Sequence, residues 1–139
     1  VIALVDTNVV LDVLLGRKAH LPSSAAVLAS VEAGHCQGLL CATTLTTVHY
    51  IAQRHLGREA SLDKLRKLLS LFRIAAVTHG VLDSALNRRM GDYEDAVLHE
   101  AALHAGASCI VTRNVHDFAA ATVPVYTPDQ FLAALASPS

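Results

Sequence analysis

Short, uniformly apolar runs alternate along this chain with longer segments whose apolar residues recur every three or four positions, a pattern that predicts strands separated by helices. The first run, Val1 to Val5, predicts a strand that stops at Asp6-Thr7-Asn8. Val9, Val10, Leu11, Val13, Leu14 and Leu15 then predict a mostly buried helix closing near Gly16. Pro22, Ser23 and Ser24 open a second helix running to Gly34, with Ser23 or Ser24 to cap its exposed amides. Leu39 to Ala42 reads as the second strand. Thr43 or Thr44 stands ready to cap a helix through Val48, Ile51 and Ala52 toward Gly57. A further helix is predicted from Ser61 to Phe72, with Leu62, Leu65, Leu68 and Leu69 along one side.

Ile74 to Val77 predicts a third strand, and Val81 to Arg89 a helix. Gly91 and Asp92 break the pattern before a helix from Tyr93 to Ala105, closed by Gly106. Ser108 to Val111 predicts a fourth strand, Val115 to Phe118 a turn, Val123 to Tyr126 a last strand, and Pro128 and Asp129 start a terminal helix. Strands that are apolar throughout and alternate with helices imply a parallel sheet covered by helices on both faces. No repeat, low-complexity tract or linker interrupts the 139 residues, so one domain, 1–139, is expected.

Composition narrows the class of protein. The chain is 53% hydrophobic with a mean hydropathy of +0.41, an excess that suits an apolar face covered by a partner or a second copy. The Ser61 to Phe72 helix and the Val48 to Ile51 region are candidates for that face, and equally for core. No uninterrupted apolar stretch approaches the roughly 18 residues of a membrane span, so a soluble protein is expected. The Val1 to Val5 run is too short for the core of a signal peptide and meets Asp6 at once, so the expected location is the cytoplasm. Cys36, Cys41 and Cys109 lie in apolar runs with no C-x-x-C pair, the signature of buried free thiols.

A formal charge of −1 lacks the bulk electrostatic signature of a nucleic-acid coat. It leaves room for a nuclease, in which a divalent cation supplies charge at the scissile phosphate and a local cluster, Arg54, Arg58, Lys64, Arg66 and Lys67, meets the backbone. A solvated helix face explains that cluster equally well.

Ligands of open parallel sheets bind beyond the carboxyl ends of the strands, which directs attention to the polar residues that follow them. Asp6 follows the first strand, and Asn114 and Asp117 follow the fourth by way of Thr112 and Arg113. Gly91-Asp92-Tyr93-Glu94-Asp95 opens a helix whose later turns are apolar, and the spacing of Asp92 and Asp95 puts them on one face once that helix has begun. Acids at helix starts commonly serve only as caps. An acid that ends a buried first strand has less reason to be there for packing alone. Converging carboxylates repel one another and call for a hard cation such as Mg²⁺ or Mn²⁺, and such a site suits phosphodiester hydrolysis. The eight histidines include no H-E-x-x-H; His99, one turn after Asp95, is either a support for that acid or a structural histidine. No Gly-rich phosphate loop and no G-x-S-x-G elbow is present.

Val5-Asp6-Thr7-Asn8-Val9-Val10-Leu11-Asp12, then Tyr93-Glu94-Asp95-Ala96, then Ile110-Val111-Thr112-Arg113-Asn114-Val115-His116-Asp117-Phe118 resemble, in order and spacing, the acidic motifs of PIN-domain nucleases. The resemblance is closest to the toxins of bacterial VapBC toxin–antitoxin pairs. It implies a three-layer α/β/α sandwich with a central, mostly parallel sheet, Mg²⁺ or Mn²⁺ dependence, endoribonuclease activity on RNA, a homodimer and an antitoxin partner. By the same resemblance, Asp6 and Asp95 match metal-site acids, and the last acidic motif falls on the pair Asn114 and Asp117, of which Asp117 carries the charge. The family's remaining acid falls at Thr47, a departure that implies a site completed by Asp92 or Glu94, a weak second metal or impaired catalysis. Thr7 and Asn8 are expected to shape the turn and to reach the metal-bound water or the phosphate. The alternative expectation is a catalytically impaired module that binds RNA or a protein partner without cutting.

Overall fold

The computed structural model describes residues 1–137. Its centre is a five-stranded, all-parallel sheet in the order β3-β2-β1-β4-β5, formed by β1 (Ile2–Val5), β2 (Gln37–Cys41), β3 (Arg73–Ala75), β4 (Cys109–Val111) and β5 (Val125–Tyr126). The helices are α1 (Thr7–Leu14), α2 (Leu21–Glu32), α3 (Ala42–Leu56), α4 (Arg58–Leu71), α5 (His79–Ala85), α6 (Tyr93–His104) and α7 (Pro128–Ala136), with a 3-10 turn at Val115–Phe118.

Successive strand residues point to opposite faces, and the core divides accordingly. Ala3, Val5, Leu40, Cys109 and Val111 pack with Val9, Val10, Val27, Val48, Leu68 and Phe131 of α1, α2, α3, α4 and α7. Leu4, Leu39, Cys41, Ala75 and Ile110 pack on the opposite face with Val81, Ala85, Val97, Leu98 and Ala101 of α5 and α6. This is the three-layer sandwich expected. Both sheet faces are buried, which is why the strands read as unbroken apolar runs rather than as alternating ones. The three cysteines are buried free thiols, as expected. Among the described residues no helix is long and apolar enough to cross a membrane.

Several local expectations need correction. Neither Ser23 nor Ser24 caps α2, whose N-cap is His20 with no side-chain bond; Pro22 sits in the first turn, and Ser24 is buried and donates to Asp12. Neither Thr43 nor Thr44 caps α3, which begins at Ala42 immediately after β2. The next helix begins at Arg58 rather than Ser61, and Ser61 is buried against His49 Nδ1 at 2.8 Å. Ser24, Thr44 and Ser61 are themselves buried, and each bonds a side chain of another element, Asp12, Thr7 and His49, in place of the local capping role that hydroxyls otherwise favour. The third strand occupies Arg73–Ala75, and the fifth only Val125–Tyr126. Gly106, at φ +78°, follows α6 as expected, and Pro128 opens α7 behind a reciprocal Thr127–Gln130 capping box.

Candidate active site

The strand order reverses between β1 and β4, the neighbours from which the chain winds outward in both directions. A crevice opens beyond the carboxyl ends of the strands at such a switch point, and Asp6 stands there. Its backbone N–H continues the ladder by donating to Val111 O at 2.9 Å, while its side chain caps α1 by accepting from Thr7 N at 2.7 Å. Asp6 Oδ2 accepts from Thr112 Oγ1 at 2.8 Å and from Asn8 Nδ2 at 3.4 Å. Thr112, fully buried at the end of β4, is the hub of this turn, because its hydroxyl also accepts from Asn114 N at 3.1 Å. Asn8 Oδ1 receives Arg113 N at 3.3 Å. Thr7 Oγ1 lies 2.9 Å from Thr44 Oγ1, so α3 reaches the site with a hydroxyl. Thr47 is half-buried one turn further along α3.

The second group of acids comes from the start of α6. Asp92 is its N-cap, Oδ1 accepting from Asp95 N at 2.8 Å, so Asp92 does perform the capping role that acids commonly play. Asp95 is half-buried and Glu94 exposed. The loop before α6 is tied to the 3-10 turn by Gly91 N donating to Asp117 O at 2.9 Å. A Cβ on Gly91 would lie 2.7 Å from Asp95 Oδ2 and 3.0 Å from both Cβ and Cγ of Asp117. Glycine is therefore what lets these two carboxylates approach each other across the loop. Asp117 faces the cluster, whereas Asn114 is exposed and joins the turn through its backbone.

Electrostatics single out the same residues. Burial pushes Asp6 above the ordinary carboxylate range, and the charges of Glu94 and Asp117 add to the rise against the lowering bonds from Thr112 and Thr7. Burial pushes Asp95 up to about 7, reinforced by the charges of Asp92, Asp6 and Asp117. Asp6 and Asp95 thus feel neighbouring carboxylates with no cationic side chain among the causes, and loss of hydration and like charge act in the same direction. Carboxylate oxygens in this number are the donor set for a hard divalent cation. Among the described residues no three His, Cys, Asp or Glu side chains are already close enough to grip a metal ion as arranged. The fit is thus one of donor chemistry and mutual charge.

Sequence reasoning missed two participants and left a third open. Thr112 was visible only as part of a motif, yet it orients Asp6. Asp12 is fully buried in α1, where Oδ2 accepts from Arg113 Nε at 2.7 Å and Ser24 Oγ at 3.0 Å, and Oδ1 faces Arg17 Nη1 at 3.5 Å. A polar residue on the apolar side of a helix was the available signal. His99 proves structural: fully buried, it accepts Thr122 N at Nε2 (3.2 Å), so Nδ1 carries the proton donated to Glu100 Oε2 at 2.6 Å. Glu100 also accepts from Arg88 Nε at 3.0 Å, closing a buried tie between the loop before α6, α6 itself and the segment after the 3-10 turn. The basic residues Arg54, Arg58, Lys64, Arg66 and Lys67 are exposed on α3 and α4, Arg66 paired with Asp63 and Arg54 over the Tyr50 ring. The Ser61 to Phe72 segment and Val48 pack mainly into the core, with Leu69 and Tyr50 exposed.

Residues 3–116 match the family model of the PIN domain, and the chain belongs to that family. Its fold is shared by a chain of a toxin–antitoxin complex from Klebsiella pneumoniae, 26% identical, with 91% of this chain and 97% of that one covered at a TM-score of 0.68. A chain of VapBC2 from Rickettsia felis, solved with a promoter DNA fragment, is 17% identical over 91% of this chain and 97% of that one, with a TM-score of 0.66. Mycobacterium tuberculosis VapC20, described as a toxin that cleaves the sarcin–ricin loop, is 15% identical over 78% and 86%, with a TM-score of 0.62. The last two likenesses speak to the fold alone. No curated protein sequence matches significantly.

Proposed function

We propose that this protein is a divalent-metal-dependent endoribonuclease, the toxin of a VapBC-type pair, acting as one domain in the cytoplasm. The observation that carries the reading is the gathering of acids at the switch point, where a Cβ on Gly91 would touch both Asp95 and Asp117 and where burial and neighbouring carboxylates push Asp6 above the ordinary range and Asp95 up to about 7. Asp6, Asp95 and Asp117 would hold Mg²⁺ or Mn²⁺, with Asp92 contributing and Glu94 at the rim. When bound, the cation lowers the pKa of water and stabilises charge developing on the phosphate.

The chain's own residues do the rest. Thr112 and the Thr7 amide hold the Asp6 carboxylate in one orientation, so that its remaining lone pairs are aimed rather than searching. Asn8 fixes the turn by bonding to the side chains of Asp6 and Thr112 and to the Arg113 amide. The Asp92 cap fixes the first turn of α6, and with it the Asp95 backbone. Membership of the PIN domain family and the 26% identity to a chain of the Klebsiella toxin–antitoxin complex support an antitoxin as partner. A homodimer is proposed only from the resemblance of the acidic motifs to those of VapBC toxins.

A second reading, a PIN module that binds RNA or protein without cutting, is favoured by Thr47, where α3 offers no carboxylate. Cleavage of a mixed single-stranded RNA pool by antitoxin-free protein, with Mg²⁺, Mn²⁺ or EDTA, separates the two. Metal-dependent cutting that disappears in the Asp6→Asn/Asp95→Asn variant supports the nuclease. Folded protein that binds the pool and never cuts it supports the module.

A further inference from the structure

The chain has three Phe, three Tyr and no Trp, and five of these six rings are already engaged. Phe72, Phe118 and Phe131 are buried, Tyr126 packs against Phe131 at 6.4 Å between centroids, and the guanidinium of Arg54 lies 4.3 Å from the centroid of Tyr50. The sixth, Tyr93, lies between Asp92 and Glu94 at the start of α6 and is 47% exposed. Its hydroxyl donates to Leu82 O at 2.8 Å, so the ring is pinned at its far end against α5 rather than free to swing. Leu82 beside it is 40% exposed, which extends the apolar surface away from the carboxylates.

We propose that the Tyr93 ring is a stacking platform for a nucleobase of the single-stranded RNA whose phosphate enters the carboxylate site, an inference that rests on the ribonuclease reading. The acids hold no attraction for a polyanion beyond the one phosphate that a bound cation would meet, so a contact that carries no charge suits the nucleotide beside that phosphate. A nucleobase is planar and apolar on its faces, and aromatic stacking holds it with little regard to its identity. A ring already fixed by its hydroxyl loses little freedom when a base settles on it. Tyr93 therefore positions one nucleotide beside the cut and favours unpaired over duplex RNA, since a paired base has no free face to offer.

Two experiments test this. In the first, Tyr93→Ala is assayed against oligoribonucleotides carrying a single abasic residue at each position around the cut. Stacking predicts a rise in KM of about tenfold with little change in kcat, the same rise for one abasic position with the native protein, and no further rise when the two are combined. Tyr93→Trp restores the native KM. Unchanged KM in Tyr93→Ala, or additive losses at every abasic position, overturns the proposal. A rise that vanishes with protein concentration and accompanies a smaller mass by light scattering also overturns it, placing the ring between copies of the chain.

In the second, Tyr93→Trp, made in the Asp6→Asn/Asp95→Asn background so that fewer carboxylates repel the RNA, supplies the chain's sole tryptophan, and its fluorescence is titrated with single-stranded RNA in EDTA, where no cleavage is required. Quenching by single-stranded and not by duplex RNA upholds the platform even if the native protein proves unable to cut. Cutting without quenching keeps the nuclease and removes the platform.

Discussion

Asp6 and Asp12 stand at the two ends of α1, both buried, and their surroundings are opposite. Asp12 is enclosed by Arg113, Arg17 and Ser24, each bonded or ion-paired to its carboxylate. Asp6 has hydroxyl and amide donors, and the charges that reach it from Glu94 and Asp117 are of its own sign. A buried acid with its cations supplied by the chain is part of the scaffold. A cluster of acids around a buried one, with no cationic side chain supplied, calls for positive charge from outside, which is what the proposed metal would bring. Arg113 joins the two regions, since its backbone N–H bonds Asn8 at the site while its guanidinium serves Asp12.

The same chemical change should therefore have opposite consequences at the two places. The largest effect is expected on activity: Asp6→Asn or Asp95→Asn lowers RNA cleavage by more than the roughly 10–100-fold that loss of an outer-shell partner costs, measured as initial rates in Mn²⁺. Next comes stability. Asp12→Ala leaves half-buried Arg113 and buried Ser24 without their acceptor and costs about 3 kcal/mol in urea denaturation, whereas Asp95→Asn relieves repulsion and raises the melting temperature of the metal-free protein at pH 7. Equal destabilisation by both substitutions would erase the distinction drawn between the regions.

The dependence on pH sharpens it further. Asp95 titrates near 7 in the folded protein against an ordinary value of 3.8, and Asp6 is raised as well. The folded state then holds more protons than the unfolded one in that window, so these acids make the metal-free protein lose stability as pH rises from about 4 to about 7. Saturating Mn²⁺ should offset the loss at neutral pH; melting curves with and without the ion provide the check. The smallest effect is expected for Thr112→Val, which removes the hydroxyl that orients Asp6: about a tenfold drop in activity with the fold retained.

The layers of the fold were legible because each strand is buried on both faces and each helix carries an apolar side, so periodicity alone separated them. Asp6 was legible for a related reason, as a charge ending an apolar run. Asp95 and Asp117 were candidates because they follow strand ends or open a helix, and the resemblance to known motifs strengthened them; what joins them is the Gly91 to Asp117 bond and the absence of a Cβ at Gly91, neither of which has a local sequence signal. Ser24, Thr44 and Ser61 misled for one reason: each looks like the opening of a helix, and each is instead buried and answers a side chain of another element, Asp12, Thr7 and His49. Between Asn114 and Asp117, only the turn geometry decides which side chain faces the acids.

The most direct test of the central claim is a Mn²⁺ titration of the purified, antitoxin-free protein followed by electron paramagnetic resonance at neutral pH, beside Asp6→Asn/Asp95→Asn and Asp12→Asn variants shown to be folded. Saturable binding by the native protein and by Asp12→Asn, lost in the double variant, is the predicted result. Equal binding by all three, or none by the native protein, would contradict the assignment of these acids to a metal site.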